Sequence, residues 1–575
     1  GAYAGNALGT TDLKSIAIGK NSLKNENAAE GNIAIGHDAM RVCNDDGANY
    51  NIAIGFEAME NCTDLGAYNI AIGFQALDTD GVDASNNVAI GSDAMGAGGV
   101  EGNSQVAIGH NSLYNLSTGT GNICVGYRTG YSITDGGSNT YMGYGCGDAA
   151  VSSLNNIGIG YESLGNNVYG NANVSIGRNA MLTSVADGNC IAIGKGALQT
   201  ANYNGSATST QSTYNVGIGH DAGNDITTGR YNTLIGGLAG DAITDQSSNV
   251  AIGYSALSGN ALGRYNVAVG NYALETANHA SADDCVAMGY AALSGAVTVP
   301  GLTAIGGYAG NVATGATGLT AVGWSALTDN TDGLYNTAVG YQALYTNAQG
   351  DSNTAVGYQA LKTINPSAGD GKNTAVGNNA GLSVTTGTNN TFLGAFAGDT
   401  ITTGSNNIGI GRNVLGTATT ANSIIAIGNY AGDSITADNT DSDGSVFIGR
   451  NAGTAITEGR YNVAIGHNAL QTATSSDRNT ALGYQALQSM NVADTATLNT
   501  GLGHNAGLLV STGIKNTFVG AYAGDGTDDG NNNTAVGQLA LSANCGDNNT
   551  AVGNEAGATV TGIKNTIIGL SLIHI

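Results

Sequence analysis

The chain has 575 residues, including 92 glycines and only 2 prolines, with 10% charged and 6% aromatic side chains. Collagen is excluded because glycine is not every third residue and proline is almost absent, and 41% hydrophobic residues do not match a solvated disordered coil. The 17 basic against 42 acidic residues give a formal net charge of −25, which argues against nucleic-acid binding. No apolar run approaches the ~18–20 residues of a membrane span, so no membrane insertion is predicted for this segment.

One internal repeat fills the chain. A partial copy, GAYAG, opens the sequence and recurs at 520–524. The 32 full copies align on a glycine, here called the anchor glycine and numbered position 0; the anchors run from Gly19 to Gly569, and 20 of their 31 intervals are 17 residues. Because the sequence begins inside a copy, we expect a piece of a longer protein.

Each copy carries a strand signal just before its anchor. Position −3 is Ile, Val or Thr in all 32 copies, position −1 is Ile, Val, Leu or Met, and the residue between them is Ala in 20 copies. Positions two apart share one face of a strand, where β-branched residues fit well. Strands of about four or five residues at this spacing leave no room for helices, so we predict an all-β solenoid of about 32 coils of ~17 residues. Small residues at +3 followed by Leu, Met or Gly at +4 predict a second short strand.

Two further positions predict ladders along the coils. Position −4 is Asn in 24 of 32 copies, and stacked asparagines tolerate a turn while hydrogen-bonding neighbouring backbone. The invariant anchor predicts a positive φ or a close approach between backbones. Ladder members include Asn32, Asn51, Asn69, Asn87, Asn249, Asn336 and Asn353 and the anchors Gly36, Gly55, Gly340 and Gly357.

Large and small side chains compensate for each other, both between neighbouring copies and within a copy. Four glycines at −2 each have a bulky residue at −2 one copy away, and all five copies with Tyr, Phe or Leu at −2 have Gly at +4. Close-packed interiors require such compensation, so position −2 is predicted to be buried, with the coils stacked in register. The first set pairs Gly158, Gly217, Gly409 and Gly501 with Tyr141, Leu234, Phe392 and Phe518; the second comprises Gly147, Gly240, Gly398, Gly453 and Gly524.

The string NIAIGHDAM at 32–40 resembles the head repeats of trimeric autotransporter adhesins, and NTAVGYQAL at 336–344 and 353–361 is similar to the repeat shafts of some phage and viral tail fibres. The resemblance extends over 1–569, which we interpret as a single repeat domain. It implies a left-handed parallel β-roll assembled as a homotrimer, with the Ala at −2 facing the trimer side and its β-branched neighbours filling the coil. Coils stacked at ~4.8 Å would form a rod on the order of 150 Å long.

These features predict a non-enzymatic extracellular fibre, on a cell surface or a virion, that attaches to a receptor or a glycan. Insertions at 199–214, 362–372, 433–444 and 488–498 fall at one phase of the repeat, so they are predicted to form a ridge of exposed loops. Pro300 and Pro366 lie between the predicted strands. Two alternatives remain: an end-to-end filament with a purely structural role, and a tailspike-like polysaccharide depolymerase.

Cys43 and Cys62 both lie at +7 on consecutive copies, which puts their Cα atoms roughly 5 Å apart. They form either a disulfide, as an oxidising exterior would allow, or two small buried residues. Asp38 and Glu57 lie at the same phase of adjacent coils. They are either a pair of acids such as glycoside hydrolysis uses or two solvated carboxylates. No His, Arg or aromatic cluster is predicted around them.

Two more groups of polar residues stand out. Asp438, Asp441 and Asp443 form either a Ca²⁺ loop or a plain acidic turn, and no other cofactor is predicted. Five histidines directly follow an anchor and are either exposed or close enough to a trimer axis to bind an ion: His37, His110, His220, His467 and His504. The final hexapeptide, LSLIHI at 570–575, breaks the repeat and resembles a translated sequencing adapter, so we expect the natural chain to continue differently.

Overall fold

A computed structural model describes residues 4–5, 14–25, 30–43, 47–61, 63, 66–78, 84–97, 99–203, 208–260, 262–277, 279, 281–366, 369–435, 444–492 and 496–570. The chain divides into two units, Gly1–Ala287 and Met288–Ile575, called unit 1 and unit 2. In the described ranges both units contain strands and turns but no helix. Each is a parallel β-solenoid with about 17 residues per turn, which confirms the predicted all-β solenoid. That the units continue one rod stays a prediction.

Every described copy of the repeat forms one three-residue strand at positions −3 to −1, shorter than the four or five residues predicted. In unit 1 these strands are β1 (Ile16–Ile18), β2 (Ile33–Ile35), β3 (Ile52–Ile54), β4 (Ile70–Ile72), β5 (Val88–Ile90), β6 (Val106–Ile108), β7 (Ile123–Val125), β8 (Thr140–Met142), β9 (Ile157–Ile159), β10 (Val174–Ile176), β12 (Ile191–Ile193), β14 (Val216–Ile218), β15 (Thr233–Ile235), β16 (Val250–Ile252) and β17 (Val267–Val269). The strand β18 (Val286–Met288) lies at the division between the units.

In unit 2 the repeat strands are β19 (Thr303–Ile305), β20 (Thr320–Val322), β21 (Thr337–Val339), β23 (Thr354–Val356), β25 (Thr374–Val376), β26 (Thr391–Leu393), β27 (Ile408–Ile410), β28 (Ile425–Ile427), β29 (Val446–Ile448), β30 (Val463–Ile465), β31 (Thr480–Leu482), β32 (Thr500–Leu502), β33 (Thr517–Val519), β34 (Thr534–Val536), β35 (Thr550–Val552) and β36 (Thr566–Ile568). Four two-residue strands lie outside the repeat strands: β11 (Asp187–Gly188), β13 (Gln211–Ser212), β22 (Gly350–Asp351) and β24 (Gly369–Asp370).

Successive repeat strands within each unit pair in parallel and in register. In unit 1, Ala34 pairs with Ala53, and Ala53 with Ala71. In unit 2, Ala321 pairs with Ala338 in the same way. Equal positions of neighbouring coils therefore stack, so any residue type that recurs at one position forms a ladder.

The orientation implied by the resemblance is wrong for this chain. The Ala at −2 is fully buried inside the coil, as at Ala53, whereas its neighbours Ile52 and Ile54 are half-buried and exposed. The same pattern recurs in most repeat strands of both units. The physical reason is space: the interior also holds the side chains at +3 and +4, such as Ala39 and Met40, which leaves room for a small residue at −2.

The predicted second strand at +3 and +4 is also wrong. Residues +1 to +4 form turns with positive φ at +2 and +4, for example 57° at Asp38 and 50° at Met40. Because both Ala39 and Met40 are buried, the chain cannot alternate its side chains as a strand does. Hydrogen bonds still join the coils here, as Met40 N–H donates to Ala58 O at 3.0 Å.

Both explanations offered for the anchor glycine hold. At Gly340 φ is +138°, and a β-carbon there would overlap the backbone carbonyl of Gly357, the anchor of the next coil. Gly36 and Gly55 show the same geometry, with φ of +145° and +146°. The anchors thus form a corner where successive backbones touch.

The side-chain exchange between coils is confirmed by register for all four pairs, since each glycine at −2 lies opposite its bulky partner. A β-carbon at Gly158 would lie 2.8 Å from the ring of Tyr141. At Gly217 and Gly501 the nearest atom belongs instead to the Leu at +4 of the preceding coil. All five glycines at +4 face the bulky residue of their own coil, as Gly147 faces Tyr141 at 2.6 Å.

The asparagines at −4 form a buried ladder. Asn51 N–H donates to Asn32 Oδ1 at 2.8 Å, and Asn69 N–H donates to Asn51 Oδ1 at 2.7 Å. Most of the side-chain amides also donate to a carbonyl of the turn that precedes the next strand, as Asn69 Nδ2 does to Ala84 O at 2.8 Å, whereas those of Asn87 and Asn353 do not. The ladder repeats around Asn249, Asn336 and Asn353, so it satisfies backbone groups that the short strands leave unpaired.

Candidate functional surfaces

The outward side of each strand forms an exposed apolar surface, here called the outward face and defined by positions −3 and −1. In unit 2, position −3 is Thr in 12 of 16 strands, whereas in unit 1 it is Thr only at Thr140 and Thr233. Large side chains at −1 that are more than one-third exposed are Ile18, Ile54, Ile72, Ile108, Met142, Ile159, Ile252, Met288, Ile305, Val339, Leu393, Leu482, Leu502, Val536, Val552 and Ile568.

An aromatic ladder borders this face at position +1, with Tyr308 and Tyr522 contributing from position +2. His37 stacks on Phe56 at 5.2 Å, and Tyr341 stacks on Tyr358 at 5.3 Å between ring centroids. The runs are His37–Phe56–Phe74, His110–Tyr127–Tyr144–Tyr161, Tyr290–Tyr308–Trp324–Tyr341–Tyr358 and His467–Tyr484–His504–Tyr522. Four of the predicted histidines are thus half-exposed or exposed rungs of this ladder. The fifth, His220, is exposed at the same position and contacts the carboxylate of Asp221 at 3.0 Å. Sequence reasoning considered the histidines alone and missed the ladder, although Tyr and Phe occupy the same position.

The stacked acids Asp38 and Glu57 lie together with a third, Glu60, all within 4.8 Å of one another. The expectation that no His or Arg frames them is wrong, because His37 contacts Asp38 at 3.1 Å and Arg41 contacts Glu60. Gln75 donates a 2.8 Å hydrogen bond to Glu57. These carboxylate oxygens are ligands that a divalent cation accepts, but each acid already has a cationic or amide partner.

Cys43 is buried at +7, and Cys62 lies outside the described residues, so their pairing stays a prediction. Burial raises the pKa of the Cys146 thiol to about 12 and that of Cys190 to about 11, which makes both thiols unreactive. The candidate calcium ligands Asp438, Asp441 and Asp443 lie outside the described residues, as does 571–575.

The inserted segments pair with the coil that precedes them. In unit 1, β13 of the 199–214 insertion pairs in parallel with β11, and in unit 2, β24 of the 362–372 insertion pairs with β22. A third insertion forms a bridge between Asp477 and Ala496. All three attach at positions −7 or −6 of a coil, so the described insertions of each unit attach at one phase, as predicted. Pro300 and Pro366 lie outside the repeat strands.

Five aspartates at +5 predict how stability depends on pH. In each, burial raises the pKa above its ordinary value; at Asp148 the neighbouring Arg128 opposes the shift. When the pKa of a carboxyl is higher in the folded chain than in the unfolded chain, protonation stabilises the folded state. This stabilisation is fully present below the ordinary pKa near 3.8 and is lost as the pH rises through the raised pKa. The five are Asp148, Asp241, Asp399, Asp433 and Asp525.

The midpoint of thermal unfolding should therefore rise by a few degrees when the pH falls from 7 to about 4. Changing Asp241, Asp399 and Asp525 to Asn should flatten this dependence, measured by circular dichroism across the pH range. Asp135, Asp332 and Asp529 are exposed, so their change to Asn is the control. A midpoint that falls on acidification, or one that the first set of changes leaves as pH-dependent as before, would contradict the prediction.

Compared with protein-family models and with curated proteins, the chain matches none. Among the described residues, no helix has the length and apolar character needed to span a bilayer.

Proposed function

We propose that this chain is a non-enzymatic extracellular fibre, a left-handed β-roll that assembles as a homotrimer and displays its loops for attachment. The observation that carries the proposal is the outward face. Burying the Ala side inside the coil leaves Ile, Val, Leu and Thr side chains in water on coil after coil. Contiguous apolar patches of more than a few hundred Å² on a soluble protein mark an interaction surface.

A second and a third copy of the same chain are the partners that fit this face best. Every coil presents the same positions at the same rise, so parallel copies meet with matching spacing along the length of each unit. A three-fold arrangement closes on itself and covers the face on all copies at once. The resemblance to trimeric adhesin heads supports the same number of chains.

The insertions support attachment as the purpose of the fibre. Described residues of the insertions, such as Thr208, Asn365 and Asn491, are exposed, and exposed segments on a rigid scaffold are the usual location of binding residues. They attach at −7 or −6, before the strand, while the +1 ladder follows it. Covering the outward face therefore leaves the loops accessible. Extracellular location, on a cell surface or a virion, is part of this proposal, with a glycan or a surface receptor as the partner.

Sedimentation equilibrium tests the assembly. We expect a mass three times the 57.0 kDa of the chain. Leu482→Lys with Leu502→Lys puts two charges per chain on the outward face, where both leucines are 40–41% exposed, and should shift the mass to that of one chain because buried unpaired charge is costly.

The control is Leu262→Lys with Leu509→Lys, where the leucines are 46% and 52% exposed but lie outside the strands. It should leave the mass unchanged. A native protein with the mass of one chain would contradict the trimer. Open-ended association seen by negative-stain microscopy would favour the structural filament instead, and shortening of an incubated polysaccharide would favour the depolymerase.

A further inference from the structure

Position −5, at the edge of the outward face nearest the insertions, carries a ladder of exposed tyrosines with one rung missing. In unit 1, Tyr214 stacks on Tyr231 at 5.8 Å. Ser248 occupies the next coil, and Tyr265 the one after. The tyrosine–serine–tyrosine order occurs once at this position in the chain. The three residues have the same backbone conformation, with φ of +60°, +64° and +59°, so they are successive rungs.

The missing rung leaves a cleft the width of one ring. Tyr231 and Tyr265 are two strand spacings, about 9.6 Å, apart at the backbone. Stacked rings of this chain lie 4.9–5.8 Å apart, so a ring inserted over Ser248 would contact both tyrosines at an ordinary stacking distance. Both tyrosines are more than half exposed and line a cleft of about 500 Å³. A flat ring with two apolar faces is the shape that this cleft accepts.

The residue before each rung adds charge. Position −6 reads Arg230, Ser247 and Arg264 on the same three coils, so an arginine lies beside each tyrosine and two serines lie side by side between them. Arg230 packs over the ring of Tyr203 at 4.2 Å, which ties it to the longest insertion. Among the described residues, neither guanidinium forms an ion pair. In a chain with 17 basic residues, two such groups at one cleft point to an anionic ligand group.

The remaining lining is hydroxylic. Ser247, Ser248 and Thr228 border the cleft, together with the carboxylate of Asp245. Ser247 Oγ accepts a 3.0 Å hydrogen bond from Arg230 N–H, so it is held in place and can still donate. Several hydroxyl groups and one carboxylate suit the hydroxyls of a sugar better than the edge of an aromatic ring.

We propose that this cleft binds a pyranose ring bearing a carboxylate, as in a uronic or a sialic acid. The C–H faces of the sugar pack between Tyr231 and Tyr265. Its carboxylate pairs with the arginines, and its hydroxyls bond the serines and Asp245. This inference rests on the proposed attachment function and names its ligand class.

Calorimetric titration of the full chain tests it with three probes: tetragalacturonate, its fully methyl-esterified form, and N-acetylneuraminic acid. The first and third separate the two sources of an acidic pyranose, and the ester removes only the charge. We expect one acidic probe to bind with a Kd in the micromolar to millimolar range. When that probe is tetragalacturonate, the ester should bind at least tenfold more weakly.

Ser248→Tyr supplies the missing rung in a conformation that its two neighbours already adopt with Tyr, so it should fold and weaken binding at least tenfold. Ser352→Tyr is the matched control, since Ser352 has φ of +58° and follows Tyr335 in unit 2. It should bind like the native chain. Arg230→Gln with Arg264→Gln should lose at least tenfold for the acidic probe and leave ester binding unchanged.

Absence of binding by both acidic probes at concentrations on the order of 10 mM would overturn the proposal, as would native affinity in Ser248→Tyr. Where tetragalacturonate is the probe that binds, an ester that binds as well as the acid would also overturn it. The mass of each sample separates this from the proposed assembly. A trimer that binds no sugar refutes the cleft alone, and a single chain that binds sugar refutes the trimer alone.

Discussion

Alanine at Gly340 should open the coils on either side of it. The added β-carbon meets the carbonyl of Gly357, and alanine must also adopt a φ of +138°. Backbone strain costs about 1–3 kcal/mol. The overlap adds a similar amount, because a backbone carbonyl cannot move away as a flexible side chain can. A local loss of about 3 kcal/mol or more corresponds to at least a hundredfold loss of amide-exchange protection in β21 and β23.

Gly369→Ala separates the two causes. Gly369 has a φ of +144°, and no atom of the described residues beyond its chain neighbours lies within 4 Å of where its β-carbon would be. This variant carries the strain without the overlap, so protection around it should fall by about tenfold. Equal effects at Gly340 and Gly369 would show that contact between the coils does not select the anchor glycine.

Leucine at Gly398 should destabilise its coil, and a second change should restore it. A β-carbon at Gly398 would lie 2.5 Å from the ring of Phe392, so the two side chains compete for one space. We expect a loss of about 3 kcal/mol from overpacking in Gly398→Leu and about 3–5 kcal/mol from the cavity in Phe392→Ala.

The double variant has the Ala and Leu that Ala338 and Leu344 carry in their coil, both fully buried. It should approach native stability, which gives a coupling free energy of several kcal/mol. Adding Gly409→Ala, opposite Phe392, should complete the repair. Proteolysis in urea would measure the series. Additive losses would mean that Phe392 and the residue at +4 do not share an interior space.

Periodicity and volume exchange were enough to predict the solenoid. The pairing of Phe392 with Gly409 and of Tyr141 with Gly158 could be predicted because, in stacked coils, a large side chain requires a small one at the same position of the neighbouring copy. The asparagine ladder was visible for the same reason. A repeat thus supplies internal comparisons that a single domain lacks.

Which side of each strand faces the interior of the coil could not be predicted from the same pattern. A period of two shows that Ile52 and Ile54 share a face but not whether that face is inside. The choice depended on how much space the +3 and +4 residues occupy, and those were mistaken for a strand because Ala39 and Met40 resemble one in composition. Their positive φ values turn both side chains inward.

The acid cluster and the cleft show another source of error. Arg41 reaches Glu60, and Arg230 and Arg264 flank one cleft, only because coils 17 to 19 residues apart in sequence are neighbours in space. Comparing equal positions on successive copies would have found the arginine–tyrosine pairs at 230–231 and 264–265. Motif spacing along the sequence could not.

Thiol labelling of the native assembly tests most directly whether the outward face is an interface. Val339→Cys places a thiol on that face, where Val339 is 36% exposed, and Leu509→Cys places one outside the strands. In the assembled protein we predict that Cys at 339 reacts at least tenfold more slowly than Cys at 509, and that adding Leu482→Lys and Leu502→Lys brings the two rates together. Equal rates in the native assembly would contradict the account.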